Sequence, residues 1–185
     1  MYIDLHTHSV SSDDSRATVD QFVKWIGVLR RKGYQIDGFV LTEHRKFDFD
    51  KDYAELSAKN EVVILKGSEL DTDLGHFLVY GVNEELARRI DFGNVRTAAL
   101  ELVAAAEDTG AIAIPAHPGR FGIGLCEFAD NGLDLSALRV GELLNGSNRP
   151  GEQERAEELL DFAHGAELWD LPALGYEIKR GARPF

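Results

Sequence analysis

Six short apolar runs punctuate this chain. "YIDLH", "GFVLTEH", "VVILKGSEL", "HFLVYGV", "AIAIPAH" and "LRVGELLNG" are brief, continuous and rich in Val, Ile and Leu. Runs of that kind fit strands whose two faces are both covered. Between several of them the apolar period lengthens. "ATVDQFVKWIGVLRRKG" sets Val19, Phe22, Val23, Ile26 and Leu29 on one helical face and stops at Gly33. "NVRTAALELVAAAEDTG" stops at Gly110 in the same way, and "GEQERAEELLDFAHG" predicts a third helix. Strands alternating with helices predict an α/β domain with a mostly parallel sheet. No repeat of fixed length and no low-complexity linker interrupts the pattern.

Folds of this class collect function at the carboxyl ends of their strands. The histidines follow that rule. His6 and His8 close the first run, His44 the second and His117 the fifth, and Glu69 nearly ends the third. His76 begins the fourth run instead, which is consistent with that strand running the opposite way. Five of the six histidines then map to one rim. In a His-x-His pair on extended chain both side chains point to one side, because the strand period is two. Neutral imidazoles are common ligands for zinc, iron and manganese. One such pair alone would more often be coincidence; its company at four further strand ends shifts the balance. Glu69 in "GSELDT" has two oxygens and can bridge two ions, or it is a strand-end carboxylate in water. At least one of Asp13 and Asp14 in "SSDDS" is a plausible cap for the following helix. Glu43 either orients His44 from behind or is a solvated loop charge.

Composition narrows the setting. A chain of 185 residues suits one domain with a sizeable core. The single cysteine, Cys126, excludes an intrachain disulfide or a multi-thiolate cluster and fits a reducing cytoplasm. The first residues reach Asp4 and His6 without the basic and apolar regions of a signal peptide, and no run approaches membrane-spanning length. The expectation is therefore a cytoplasmic protein with no membrane partner. A net charge of −12 repels polyanions at long range, which disfavours long nucleic acid, though ions in a site can still attract a small phosphate.

Taken together, "DLHTHS" with "SD" after it, "TEH", "GSELD", "GHFLVYG", "AHPGR" and "GELLNGSNRP" resemble the PHP family, the polymerase-and-histidinol-phosphatase superfamily of metal-dependent phosphoesterases. The matching stretches keep the family's order and cover roughly residues 1–150 of what the resemblance makes a single domain over 1–185. It implies a distorted (β/α)7-like barrel with two or three divalent metal ions (zinc, manganese or iron) at one mouth. One implied site is His6, His8 and Glu69 plus an aspartate. A second is Glu69, His76 and His117, and a third is Asp13 and His44 plus a final histidine. Arg120 and Arg149 stand where small members of the family hold substrate phosphate, although either arginine alone would be read as a surface ion-pairing residue. Glu142 lies in a matching stretch without an assigned role.

The chain departs from the family pattern twice. Glu43 stands where the family has aspartate, and the family's last motif, Asp-x-His, is not visible. Asp161 and His164 have the wrong spacing and fall in a helical pattern; Asp170 has no histidine behind it. These could still fold back as substitutes. The leading expectation is a metal-dependent phosphoesterase that hydrolyses a small phosphomonoester or short nucleotide with metal-activated water. A degenerate PHP module, metal-binding or regulatory with little turnover, is the alternative that the missing motif favours. A metal-dependent hydrolase of C–N bonds, which also uses an early His-x-His, ranks third.

Overall fold

The computed structural model describes residues 1–129, 135, 138 and 140–164, the last five of them as backbone only. Its elements run β1 (Ile3–Thr7), α1 (Val19–Arg31), β2 (Gly38–His44), α2 (Ala54–Asn60), β3 (Val63–Thr72), β4 (Gly75–Tyr80), α3 (Glu84–Arg89), α4 (Ala99–Asp108), β5 (Ile112–Pro115) and α5 (Glu152–His164). A short 3-10 turn, Leu125–Glu127, precedes α5. The five strands form one sheet in chain order. β1 pairs β2 and β2 pairs β3 in parallel, whereas β4 is antiparallel to both β3 and β5. The sheet is therefore mixed, and the reversal expected of the His76 strand is present.

Strand alternation sorts the side chains of β2. Phe39 and Leu41 are buried against Val23 and Ile26 of α1, while Val40 faces the other way. α1 starts where it does because Thr18 and Gln21 cap each other. The Gln21 N–H donates to the Thr18 hydroxyl at 3.2 Å, and the Thr18 N–H donates to the Gln21 side chain at 2.8 Å. The capping expected of Asp13 or Asp14 is thus performed by Thr18. Val23, Ile26 and Leu29 are each buried, and full burial of such a side chain contributes about 1.5–3 kcal/mol. A second cluster joins Leu70, Phe77 and Val79 to Leu86 of α3 and to Leu102 and Ala106 of α4.

The sheet curls into half a barrel. Tyr80 on β4 reaches past β2 and β3 to donate its hydroxyl to the Leu5 carbonyl on β1, at 3.0 Å. Along the concave side, Val40, Leu65, Tyr80, Ile112, Ile114 and Val140 line an apolar groove of about 550 Å³.

Three local readings change. α2 and α3 are helices that the apolar pattern did not announce. α2 buries none of its seven residues, so no apolar stripe marks it. α3 spans six residues and is held by its cap, the Asn83 side chain accepting from the Leu86 N–H at 3.0 Å. The sixth apolar run, "LRVGELLNG", forms no strand among its described residues. It makes one ladder-like bond, from the Glu142 N–H to the Pro115 carbonyl at 3.0 Å. Pro115 has no N–H to return, so that edge of β5 offers an incomplete ladder.

Candidate metal centre

Each strand delivers its polar residue to the same rim. His6 and His8 end β1 and the loop after it, His44 ends β2, Glu69 lies near the end of β3 and His76 near the start of β4. His117 follows β5. All six line one cavity of about 480 Å³, shared with Asp14, Arg120, Glu142 and Asn145.

Glu69 stands at the middle, 1% exposed. Its Oε2 lies 2.9 Å from His6 Nε2, 3.0 Å from His8 Nε2 and 3.6 Å from His44 Nδ1. Its Oε1 lies 2.9 Å from both His76 Nδ1 and His117 Nε2. The imidazoles form a closed ring around it. Neighbouring centroids are 5.0 Å apart for His6–His8, 4.4 Å for His8–His44, 5.8 Å for His44–His76, 5.3 Å for His76–His117 and 5.6 Å for His117–His6.

Two electrostatic consequences follow. Burial alone would raise the Glu69 carboxyl, but hydrogen bonds from His117, His6, His76 and His8 outweigh it and hold the group far below the usual carboxylate range. Burial also keeps His117 below the ordinary imidazole value despite its bond to Glu69, which favours the uncharged ring.

His6 differs because a second carboxylate stands behind it. Burial pulls its imidazolium down, yet the charge and hydrogen bond of Glu142, helped by Glu69, raise it to about 10. Glu142 Oε1 is 3.1 Å from His6 Nδ1. Its other oxygen accepts the His117 backbone N–H at 2.6 Å, and the Asn145 amide donates to Oε1 at 2.9 Å. One carboxylate therefore orients two of the ring histidines, which gives Glu142 the role that the sequence left open. His117 has φ 30°, a left-handed backbone that a non-glycine residue rarely adopts. The Glu142 bond to its N–H helps to fix that conformation.

A divalent cation suits this donor set. Among the described residues, three groups have ligand atoms within 4.8 Å of one another: His6, Glu69 and His117; His8, His44 and Glu69; and His44, Asp71 and His76. More imidazole nitrogens converge on Glu69 than the protein can satisfy. His6 Nε2 and His8 Nε2 are themselves 3.0 Å apart, and His8 Nδ1 and His117 Nδ1 are buried without a hydrogen-bond partner among the described residues. Nitrogen and oxygen donors without thiolate match zinc, manganese or iron.

These groupings recombine the expected sets. His6 and His8 fall to different groups, although both touch Glu69. Asp71 was missed; it follows Glu69 by two residues on β3 and so shares its face, a signal present in "SELD". Asp13 does not line the cavity and its side chain is 78% exposed; Asp14 instead lies 3.3 Å from His44 Nε2. Glu43 buckles the loop after β1 onto β2. It accepts from the Ser9 and Ser12 hydroxyls, both at 2.5 Å, and Ser12 Oγ in turn accepts the His44 N–H at 3.0 Å.

Of the two arginines, Arg120 lines the cavity and donates to the Asn145 and Ser147 side chains. Arg149 is exposed and outside the lining; its backbone N–H donates to Glu152 at 2.6 Å. The buried Glu152 also accepts the Phe121 N–H at 3.1 Å, tying the loop of Arg120 to the start of α5. Gly119 permits that approach, because a Cβ there would strike the Glu152 carbonyl. Asp170 lies outside the described residues, as do the side chains of Asp161 and His164.

The fold and site together define an α/β protein whose curled, mixed sheet carries His/Glu/Asp groups able to hold metal ions. No protein-family model and no curated protein matches the chain. Among the described residues no helix is long and apolar enough to cross a membrane.

Proposed function

We propose that this chain is a metal-dependent phosphoesterase of the PHP superfamily, acting on a small phosphomonoester or short nucleotide. The observation that carries this reading is the ring of five imidazoles around buried Glu69, with Arg120 on the same cavity wall. His6, His8, His44, Glu69, His76 and His117 would hold two or three divalent ions. Such ions, when bound, supply an activated water and charge to clamp the phosphate oxygens.

The remaining residues have separate tasks. Arg120 binds and orients the phosphate, since a guanidinium presents several donors to its oxygens. Asn145 and Ser147, which now accept from Arg120, hold its side chain over the cavity. Glu142 keeps His6 Nδ1 engaged, so that Nε2 is the atom turned to Glu69. An anion-binding wall beside the ring favours phosphate over a C–N substrate.

The half-barrel would be the described part of a distorted (β/α)7-like barrel. The apolar groove supports this: Leu65 and Ile112 are 44% and 36% exposed there, and a closed barrel would cover them. The degenerate-module alternative keeps its basis in the absence of a visible Asp-x-His in the C-terminal part of the sequence.

Metal analysis combined with an assay on p-nitrophenyl phosphate tests the reading. The expected result is bound metal and hydrolysis that chelator abolishes and manganese or zinc restores. Bound metal without turnover would favour the degenerate module. A protein that takes up no metal would end both readings.

A further inference from the structure

We infer that Glu152, at the start of α5, positions Arg120 for phosphate by holding both the loop that carries this arginine and the loop that steadies its side chain. This rests on the proposed role of Arg120 as the group that binds phosphate; Glu152 itself does not line the cavity.

A carboxylate in the first turn of a helix is well placed in water, where it meets the positive end of the helix dipole. Glu152 is instead 1% exposed. A buried charge is costly unless hydrogen bonds compensate for it. Two backbone donors do so, one on each oxygen. Oε2 accepts the Arg149 N–H at 2.6 Å, and Oε1 accepts the Phe121 N–H at 3.1 Å. The first bond spans three residues and is of the kind a helix cap makes. The second is not a capping bond, because it crosses to a loop 31 residues earlier in the chain.

That loop carries Arg120. The Arg120 N–H donates to the His117 carbonyl and the Gly124 N–H to the Arg120 carbonyl, both at 2.9 Å. Helix α5 grips it a second time. Arg155 Nη1 donates to the Gly119 carbonyl at 3.0 Å, and the same guanidinium lies 4.4 Å from the centre of the Phe121 ring. The other loop leads from Asn145 to Arg149. The Asn148 N–H donates to the Asn145 carbonyl at 3.1 Å, and the Ser147 N–H to the Asn145 side chain at 3.0 Å. The Asn145 and Ser147 side chains accept from Arg120 Nη2.

Arg120 is thus held at both ends, and Glu152 is common to both. Its backbone is tied through Phe121, and its guanidinium through a loop that ends on the Arg149 N–H. A long side chain loses rotamer freedom when it grips a ligand, so setting it beforehand favours the anion. Arg149 acquires a part in the site through its backbone and not its charge. Without the carboxylate, both N–H groups lose their acceptor and the two loops are no longer joined.

A double-mutant cycle, read by calorimetric titration of inorganic phosphate into the manganese-loaded chain, tests this. Circular dichroism and metal analysis establish that each variant is folded and loaded. Arg120→Ala should weaken phosphate binding about tenfold or more. Glu152→Ala should weaken it about fivefold, with metal content unchanged. Added to Arg120→Ala, the Glu152 change should cost nothing further, because it acts only through that arginine. Glu152→Gln keeps one acceptor and the side-chain shape. It should show a smaller loss with the same lack of additivity, and serves if Glu152→Ala does not fold. Additive losses would overturn the inference, as would parental phosphate affinity in both Glu152 variants or loss of metal from either. An unmodified chain that binds no phosphate, with or without manganese, overturns the reading of Arg120 itself, an outcome seen before any variant is made.

Discussion

Glu69 is a buried carboxylate that five imidazoles surround, and His6 connects it to a second carboxylate, Glu142. That chain of contacts gives the metal-free protein a pH signature. The folded His6 value, about 10, lies above its ordinary 6.5, so its stabilising contribution is complete below about 6.5 and is lost as pH rises through 10. Burial would raise Glu142, but the charge and hydrogen bond of His6 and the bond from the His117 N–H lower it, so its contribution is lost in acid. Urea unfolding of the metal-free chain should therefore show lower stability at pH 9.5 than at pH 6, a difference that shrinks in Glu142→Gln. A flat profile would show that the pair is not ionised as described. Metal binding should run the other way and strengthen from pH 6 to pH 8, because a cation must displace the His6 proton. Arg120 makes a separate prediction. Arg120→Ala should weaken binding of inorganic phosphate by about 1.5–3 kcal/mol, the worth of a hydrogen bond to a charged group, and leave metal content unchanged. Titration calorimetry on the loaded protein measures both.

At the level of elements, the strand ends carry the chemistry and the helices hold the strands. β2 matches its sequence-predicted limits, Gly38–His44, because "GFVLTEH" is apolar on both faces and bounded by polar chain. The α1 stripe was equally legible, since Val23, Ile26 and Leu29 all turn to the core. The start of that helix was not. Asp13 and Asp14 have the right chemistry for a cap but lie well before Val19, and the reciprocal Thr18–Gln21 pair takes the role next to it. Thr18→Ala should lower stability by about 1 kcal/mol and leave metal content unchanged, measured by denaturant unfolding. A larger loss, or a loss of metal, would mean that the cap also supports the loop of Ser9 and Ser12. The hairpin between β3 and β4 was legible as a reversal because His76 begins its run. Gly75 supplies the turn with φ 94°, where a side chain would also meet the Ile123 carbonyl.

For the whole molecule, the candidate centre joins parts of the chain that are far apart in sequence: the end of β1, the hairpin, and the stretch from His117 to Asn145. A cation bound there links those parts only in the folded state, so it should stabilise the fold as a whole. Loading with zinc or manganese should raise the melting temperature by several degrees, and chelator should reverse it; about 1 kcal/mol shifts a chain of this size by roughly 2–4 °C. An unchanged melting temperature at saturating metal would place any binding outside the ring. The sequence alone determined that the five imidazoles and Glu69 belong to strand ends, because apolar periodicity marks strands and period two fixes which side chains share a face. It could not set the partners at the rim. Whether Asp13 or Asp14 meets His44, which arginine turns inward and what stands behind His6 depend on how loops cross between strands. So does the fate of "LRVGELLNG", which gives its polar groups to the centre in place of a ladder. Those outcomes follow from the curl of the sheet, which brings Glu142 to His6 over 136 residues, a separation no local pattern encodes.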